Sequence, residues 1–569
     1  MVSGSDVIAQ TLERLEVDTV FGIVGIPVVD VANALIARGI RFIAFRNEQA
    51  ASYAASMYGY LKKKPGVLLV VGGPGVVHAT PGIFNANSNA WPLLVLAGSS
   101  SFTENHKGGF QELDQVSYLS SETKFSSRPF GITQVPRLIE QAYRTSFFGK
   151  PGTTYVDLPA NIIQDETDVN LPQLLTTIGP IHEAPKSQAD PSKVIAAAEI
   201  ISRAKSPLVI IGKGAAYGDA SESLKELVYT NKLGFLPTPM GKGVLPDEHD
   251  LNLSSCRSLA LASTDVVILC GARLNWILHS GERFGEGTKI ISINNQAEEI
   301  GYNSSHSTKY GLYGDLDLVV KQLTHELKSR NYKPVPILTT LINKKHDNTK
   351  RASIKVDRVT PRGELLSYHR VYKIIRDAII ASPFPEKDTT IVSEGANTMD
   401  ISRTSFPLNY PSKRLDAGTN ATMGVGLPYA IAAKVANPNE LVVALEGDSA
   451  FGFTGMELET IARNKLGMII VVMNNSGIYH GSDPSLYDQE NSTPLPSTAL
   501  SQNTRYDLVA QGLGINGVLV KDESELSDAI NGALCSLKNK NESTLINVLI
   551  DLGLKTKLSF GWQNKKSKL

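Results

Sequence analysis

Two stretches of the chain, Leu441-Val-Val-Ala-Leu-Glu-Gly-Asp448 and Ile469-Ile-Val-Val-Met-Asn-Asn475, each run an apolar segment straight into an acidic or amide residue. Short continuous apolar runs bounded by turn residues have the length of buried strands. Asn475 follows Asp448 by 27 positions, the span of a strand end, a crossover helix and the next parallel strand. The spacing therefore predicts that both residues stand at the carboxyl ends of strands in one sheet, where open α/β sheets bind ligands. One carboxylate, one amide oxygen and a backbone carbonyl at Gly477 are the hard oxygen donors that Mg²⁺ takes beside phosphate oxygens. Small residues at Gly447 and Ser449 let phosphates approach backbone N–H groups. Each half alone is a common turn; the two in register point to a metal-bound diphosphate.

The same alternation of short strand, Gly- or Pro-containing turn and helical stretch runs through the 569 residues. It predicts an α/β protein of three consecutive domains, each with a mostly parallel sheet flanked by helices. The length itself calls for several cores. The first unit is expected over 1–185, with strands at Val67–Val71 and Leu93–Ala97, and a Pro-rich stretch over Pro172–Pro191 closes it. The central unit is expected over 190–335, a polar, basic linker over 336–360, the third unit over 361–552 and a tail over 553–569.

Lys plus Arg and Asp plus Glu balance at 56 each, so no overall field draws the chain to nucleic acid. Cys256, Cys270 and Cys535 are scattered with no CxxC pair, which suits a reducing compartment and argues against a disulfide framework. No apolar run is long enough for a membrane span, and the N-terminus lacks the pattern of a secretory signal. The sequence closes on Ser567-Lys568-Leu569, which reads as an address for the peroxisomal import receptor and predicts a matrix location.

Gly447-Asp448-Ser449 followed by Asn474-Asn475 resembles the thiamine-diphosphate signature, with Ser449 in place of the usual second glycine. A second match is Arg46-Asn47-Glu48-Gln49-Ala50-Ala51, about 400 residues upstream. In that superfamily the Glu of this motif hydrogen-bonds the aminopyrimidine ring of the cofactor. The pyrimidine half is held by one subunit and the diphosphate half by its partner, which implies a homodimer or homotetramer with sites between chains. Over nearly the whole chain the resemblance is to the oxalyl-CoA decarboxylase and 2-hydroxyacyl-CoA lyase branch. It is carried by Gly108-Gly-Phe-Gln-Glu-Leu-Asp-Gln115, Gly271-Ala-Arg-Leu-Asn-Trp276, Glu394-Gly-Ala-Asn-Thr-Met-Asp400 and Glu446-Gly-Asp-Ser-Ala-Phe-Gly-Phe.

The resemblance implies cofactor contacts from Glu48, Asn397, Thr398, Met423, Gly447, Asp448, Ser449, Asn475, Gly477 and Ile478, with Mg²⁺ on Asp448, Asn475 and Gly477. Relatives usually carry an aromatic residue and a glycine where Asn420 and Ala421 stand. Catalytic roles fall to Glu48, Gln111 and Tyr479, and His78 is another polar group for the pocket. For a CoA thioester, Arg257, Arg273 and Arg403 are the candidates for phosphate contact. Gly212-Lys213-Gly214 sits where relatives bind ADP, but Asn294 or Asn295 replaces the expected acidic ribose partner, which argues against ADP here. Phe110-Gln111 and Ser559-Phe-Gly-Trp562 are similar to lyases, whereas decarboxylases carry Tyr-Glu at the first place. The implied reaction is cleavage of the C1–C2 bond of a 2-hydroxyacyl-CoA to formyl-CoA and a shorter aldehyde, as in fatty-acid α-oxidation. Oxalyl-CoA decarboxylation is the alternative, and an inactive binding protein the reading from another class.

Overall fold

The structure is a computed structural model that describes residues 1–488 and 493–553. Ser559–Trp562 and Ser567-Lys568-Leu569 lie outside the described residues.

Three parallel sheets follow one another along the chain. The first has six strands in the order Arg41–Ala44, Thr19–Gly22, Gly66–Val70, Leu93–Ser99, Thr153–Pro159 and Phe125–Ser127. The central sheet has five, in the order Gly234–Pro237, Pro207–Ile211, Val266–Cys270, Lys289–Asn294 and Leu312–Tyr313. The third has six: Arg414–Asp416, Thr389–Glu394, Leu441–Gly447, Ile469–Asn474, Thr544–Leu549 and Asn516–Val520. Strands such as Leu441–Gly447 and Ile469–Asn474 are buried along their whole length, because helices cover both faces of a parallel sheet and leave no side for polar residues.

The third sheet reverses its strand order between Thr389–Glu394 and Leu441–Gly447. At such a switch the two connections leave toward opposite faces and open a crevice at the carboxyl ends. Glu394 pairs in register with Glu446, and Gly447 with Met473. Asp448 and Asn475 are thus the first residues beyond two adjacent strands, as the spacing predicted.

The first and third units share one core. Helix Glu48–Lys62 is rich in Ala, Ser and Gly, and helix Gly426–Ala436, every residue of which is buried, is rich in Ala. Small side chains let the two helices and helix Pro74–Asn89 approach closely; a Cβ on Gly82 would lie 1.9 Å from Ser52 Oγ. Asn85 Nδ2 donates to Tyr429 Oη at 2.8 Å across this interface. The polar stretch read as a linker contains a 19-residue helix, Thr339–Asp357, whose one buried residue is Leu341. With a single anchor and a solvated remainder, its helicity leaves no apolar stripe in the sequence.

Candidate active site

Asp448 opens a short helix, Asp448–Thr454, directly after its strand. Its Oδ1 accepts from the Ser449 amide at 2.8 Å and its Oδ2 from the Gly477 amide at 3.3 Å. The same Gly477 N–H reaches Asn475 Oδ1 at 3.2 Å, so one amide ties the acid to the carboxamide. Burial pushes the Asp448 carboxyl up to about 6, against the backbone amides that surround it. Asn475 Nδ2 and Asn397 Nδ2 both donate to the Tyr479 carbonyl, at 3.3 and 2.7 Å. That carbonyl is aimed by a left-handed backbone at Ser476 (φ 59°) and Tyr479 (φ 71°). A side chain at Gly477 is excluded, since its Cβ would meet the His480 carbonyl at 2.2 Å.

These residues enclose a cavity of about 660 Å³. Its floor is formed by Gly447, Asp448, Ser449, Asn475, Gly477 and Ile478. Its sides carry Asn397, Thr398, Met423, Tyr479 and Arg403. Ten of the residues expected to hold or serve the cofactor therefore converge, and Arg403 joins them between Asp400 (2.6 Å) and Asp416 (3.2 Å). Three lining aromatics were not anticipated: Trp276, Tyr368 and Phe453. Trp276 belongs to the central unit and donates its indole N–H to the Thr419 carbonyl at 2.7 Å. The turn after Thr419 carries Asn420, Ala421 and Met423, all on the cavity wall.

Thr419 is held from three sides. Its amide donates to Asn89 Oδ1 at 2.8 Å, and its hydroxyl accepts from Lys213 Nζ at 2.9 Å and from Arg273 at 3.3 Å. Arg273 also donates to the Ser88 carbonyl, and Arg257 to the Ile277 carbonyl; neither lines the large cavity. Lys213, Arg273, Asn294 and Asn295 border a second cavity of about 130 Å³. Burial holds the Lys213 ammonium well below its usual range.

Glu48 stands elsewhere. Asn47 caps its helix, accepting from the Gln49 amide at 2.8 Å, and Glu48 is the first helical residue. Its carboxylate, 13% exposed, lies 3.3 Å from His78 Nδ1. Gly75 packs beside it, and Gln111, at φ 55°, presses its carbonyl on Gly73 of the same turn. Among the described residues, the lining of the large cavity includes none from the first unit. Within one chain Glu48 and its neighbours thus lie apart from the lining of the Asp448 cavity. No group of three or more His, Cys, Asp and Glu side chains converges among the described residues. A metal at Asp448 would therefore rest on amide, carbonyl and ligand oxygens, the donor set that suits Mg²⁺.

Residues 2–118 match the thiamine pyrophosphate enzyme N-terminal TPP binding domain, residues 194–323 the central domain and residues 394–548 the C-terminal TPP binding domain. The chain belongs to the thiamine pyrophosphate enzymes. Within them it is 45% identical to 2-hydroxyacyl-CoA lyase of Saccharomyces cerevisiae over 98% of each chain. It is 43% identical to 2-hydroxyacyl-CoA lyase 1 of Homo sapiens, over 97% of this chain and 95% of that one. Oxalyl-CoA decarboxylase of Escherichia coli is more distant, at 36% identity over 97% and 95%.

Proposed function

We propose that this protein cleaves the C1–C2 bond of 2-hydroxyacyl-CoA thioesters, giving formyl-CoA and an aldehyde one carbon shorter. The observation that carries the reading is the Asp448–Gly477–Asn475 knot at the strand ends, on a chain similar end to end to proteins named 2-hydroxyacyl-CoA lyase. Thiamine diphosphate, when bound, supplies the electron sink that this cleavage requires. Asp448, Asn475 and the Gly477 carbonyl would hold Mg²⁺ and, through it, the diphosphate. Asn397, Thr398, Ser449 and Ile478 would fix the diphosphate half, and Met423 would support the cofactor from the cavity wall.

Glu48 would hold a proton at the aminopyrimidine ring nitrogen, in the half-site that a second copy of the chain brings to the cavity. The C2 hydroxyl proton must leave and a proton must reach C1; His78, Gln111 and Tyr479 are the chain's polar groups for orienting and relaying them. Arg403 is the best placed of the three arginines for a CoA phosphate, since it borders the cavity. Arg257 and Arg273 serve backbone carbonyls. Delivery to the peroxisome is part of the same reading and rests on Ser567-Lys568-Leu569; a fluorescent fusion ending in that tripeptide, compared with one lacking it, checks it.

Incubation with a 2-hydroxyacyl-CoA should yield aldehyde and formyl-CoA in equal amounts. Rapid CO₂ release from oxalyl-CoA with no aldehyde from the first substrate would instead establish a decarboxylase. Glu48→Gln should lower turnover by about 10²–10⁴-fold with cofactor still bound. Asp448→Ala should abolish cofactor retention, measured by equilibrium dialysis.

A further inference from the structure

Glu457 is a buried carboxylate, 1% exposed, that nothing in the reading above uses. It lies on the third-unit helix Glu457–Arg463. Its two oxygens accept from the Arg46 backbone amide at 3.1 and 3.3 Å, and one also accepts from Thr460 Oγ1 at 2.6 Å. Nearly two turns further along the same helix, Arg463 donates to the Ala44 carbonyl at 2.7 Å. The helix therefore grips both ends of the turn that joins strand Arg41–Ala44 to the helix that begins at Glu48.

We propose that Glu457 is the positioning residue for Glu48. A buried carboxylate is costly unless hydrogen-bonded, and an apolar side chain of similar size would pack the same interface at no such cost. Among the described residues Glu457 forms no salt bridge; the exposed Arg46 lends it only a longer-range charge, and Arg463 is paired with Glu459. What the carboxylate holds is backbone: the Arg46 amide, two residues before Glu48. A group that shares a proton with a ring nitrogen must be placed to within a fraction of an ångström, and a shift of about 1 Å can cost about 100-fold. The fold solves this by fixing the start of the Glu48 helix from another unit, through the Arg46 amide shared by both Glu457 oxygens and the Arg463 bond to the Ala44 carbonyl, rather than through loop packing alone.

This inference rests on the reading of Glu48 as the pyrimidine-side acid. The test is hydrogen–deuterium exchange at the thiazolium C2 of thiamine diphosphate in the holoenzyme, which needs no substrate. It is paired with amide exchange of the 44–53 peptide in the cofactor-free protein. Glu457→Ala should slow C2 exchange about 30- to 100-fold while the cofactor dissociation constant stays within about threefold, and should speed amide exchange of 44–53 at least about tenfold. Glu457→Gln keeps one acceptor oxygen, so it should fold as the wild type does and lose about fivefold in C2 exchange. That partial rescue is not expected of a residue that merely fills space. Wild-type C2 exchange in Glu457→Gln, together with unchanged 44–53 protection, overturns the proposal. If Glu48→Gln itself leaves C2 exchange untouched, the assignment of Glu48 falls and this one with it; if Glu48→Gln abolishes exchange and the Glu457 variants do not slow it, only the positioning role falls.

Discussion

Ala421 occupies the left-handed region at φ 50° on the cavity wall, a conformation that an L side chain adopts at a cost. This is a physical reason for the glycine that the resemblance leads one to expect there, which the sequence alone registered only as a departure. Ala421→Gly should change stability by no more than about 1 kcal/mol, relieving strain while adding unfolded-state freedom. Ala421→Val should cost about 1–3 kcal/mol and weaken cofactor binding, as denaturant titration and dialysis will show. Asp448 and Asn475 were legible because a strand–helix–strand unit has a characteristic length, so residue spacing reports on space. Trp276 was not, because a single aromatic after a central-unit strand carries no periodicity that reveals which cavity it faces. Gln111 was legible as a motif residue, but its left-handed backbone, which seats it on the Gly73 turn, depends on a contact that spacing does not encode.

At the scale of elements, the helix Glu457–Arg463 carries a pH signature. Burial pushes the Glu457 carboxyl from its ordinary 4.5 up to about 7, opposed by the Thr460 hydroxyl and the Arg46 and Asn47 amides. The folded chain thus binds a proton there that the unfolded chain has released. The stability this contributes is full below about pH 4.5 and is lost as pH rises through about 7, a swing of about 3 kcal/mol. Glu457→Gln should flatten the dependence of unfolding free energy on pH between 5 and 7; a slope equal to the wild type's in urea melts would contradict this. The parallel strands were readable as apolar runs, since burial on both faces removes polar residues. Helix Thr339–Asp357 was not readable in that way, because it is anchored at one residue and solvated elsewhere.

For the whole molecule, the separation of Glu48 from the Asp448 cavity within one chain leads to a complementation experiment. Glu48→Gln and Asp448→Ala should each be inactive alone. If a second copy supplies the missing half, a mixed dimer has one site with both defects and one intact. Random pairing of the two variants should therefore recover about a quarter of wild-type activity; no recovery in verified mixed dimers would place both halves of the site on one chain. The last consequence comes from Thr419, pinned by Asn89 of the first unit and by Lys213, Arg273 and Trp276 of the central one. A turn gripped by all three lobes, beside the core that the first and third units share and the Asp247–Leu408 bonds that tie in the central one, leaves none of them free to melt alone. Scanning calorimetry of the wild type should give one endotherm, and Asn89→Ala should lower its midpoint while leaving it single, the whole chain still melting as one cooperative block.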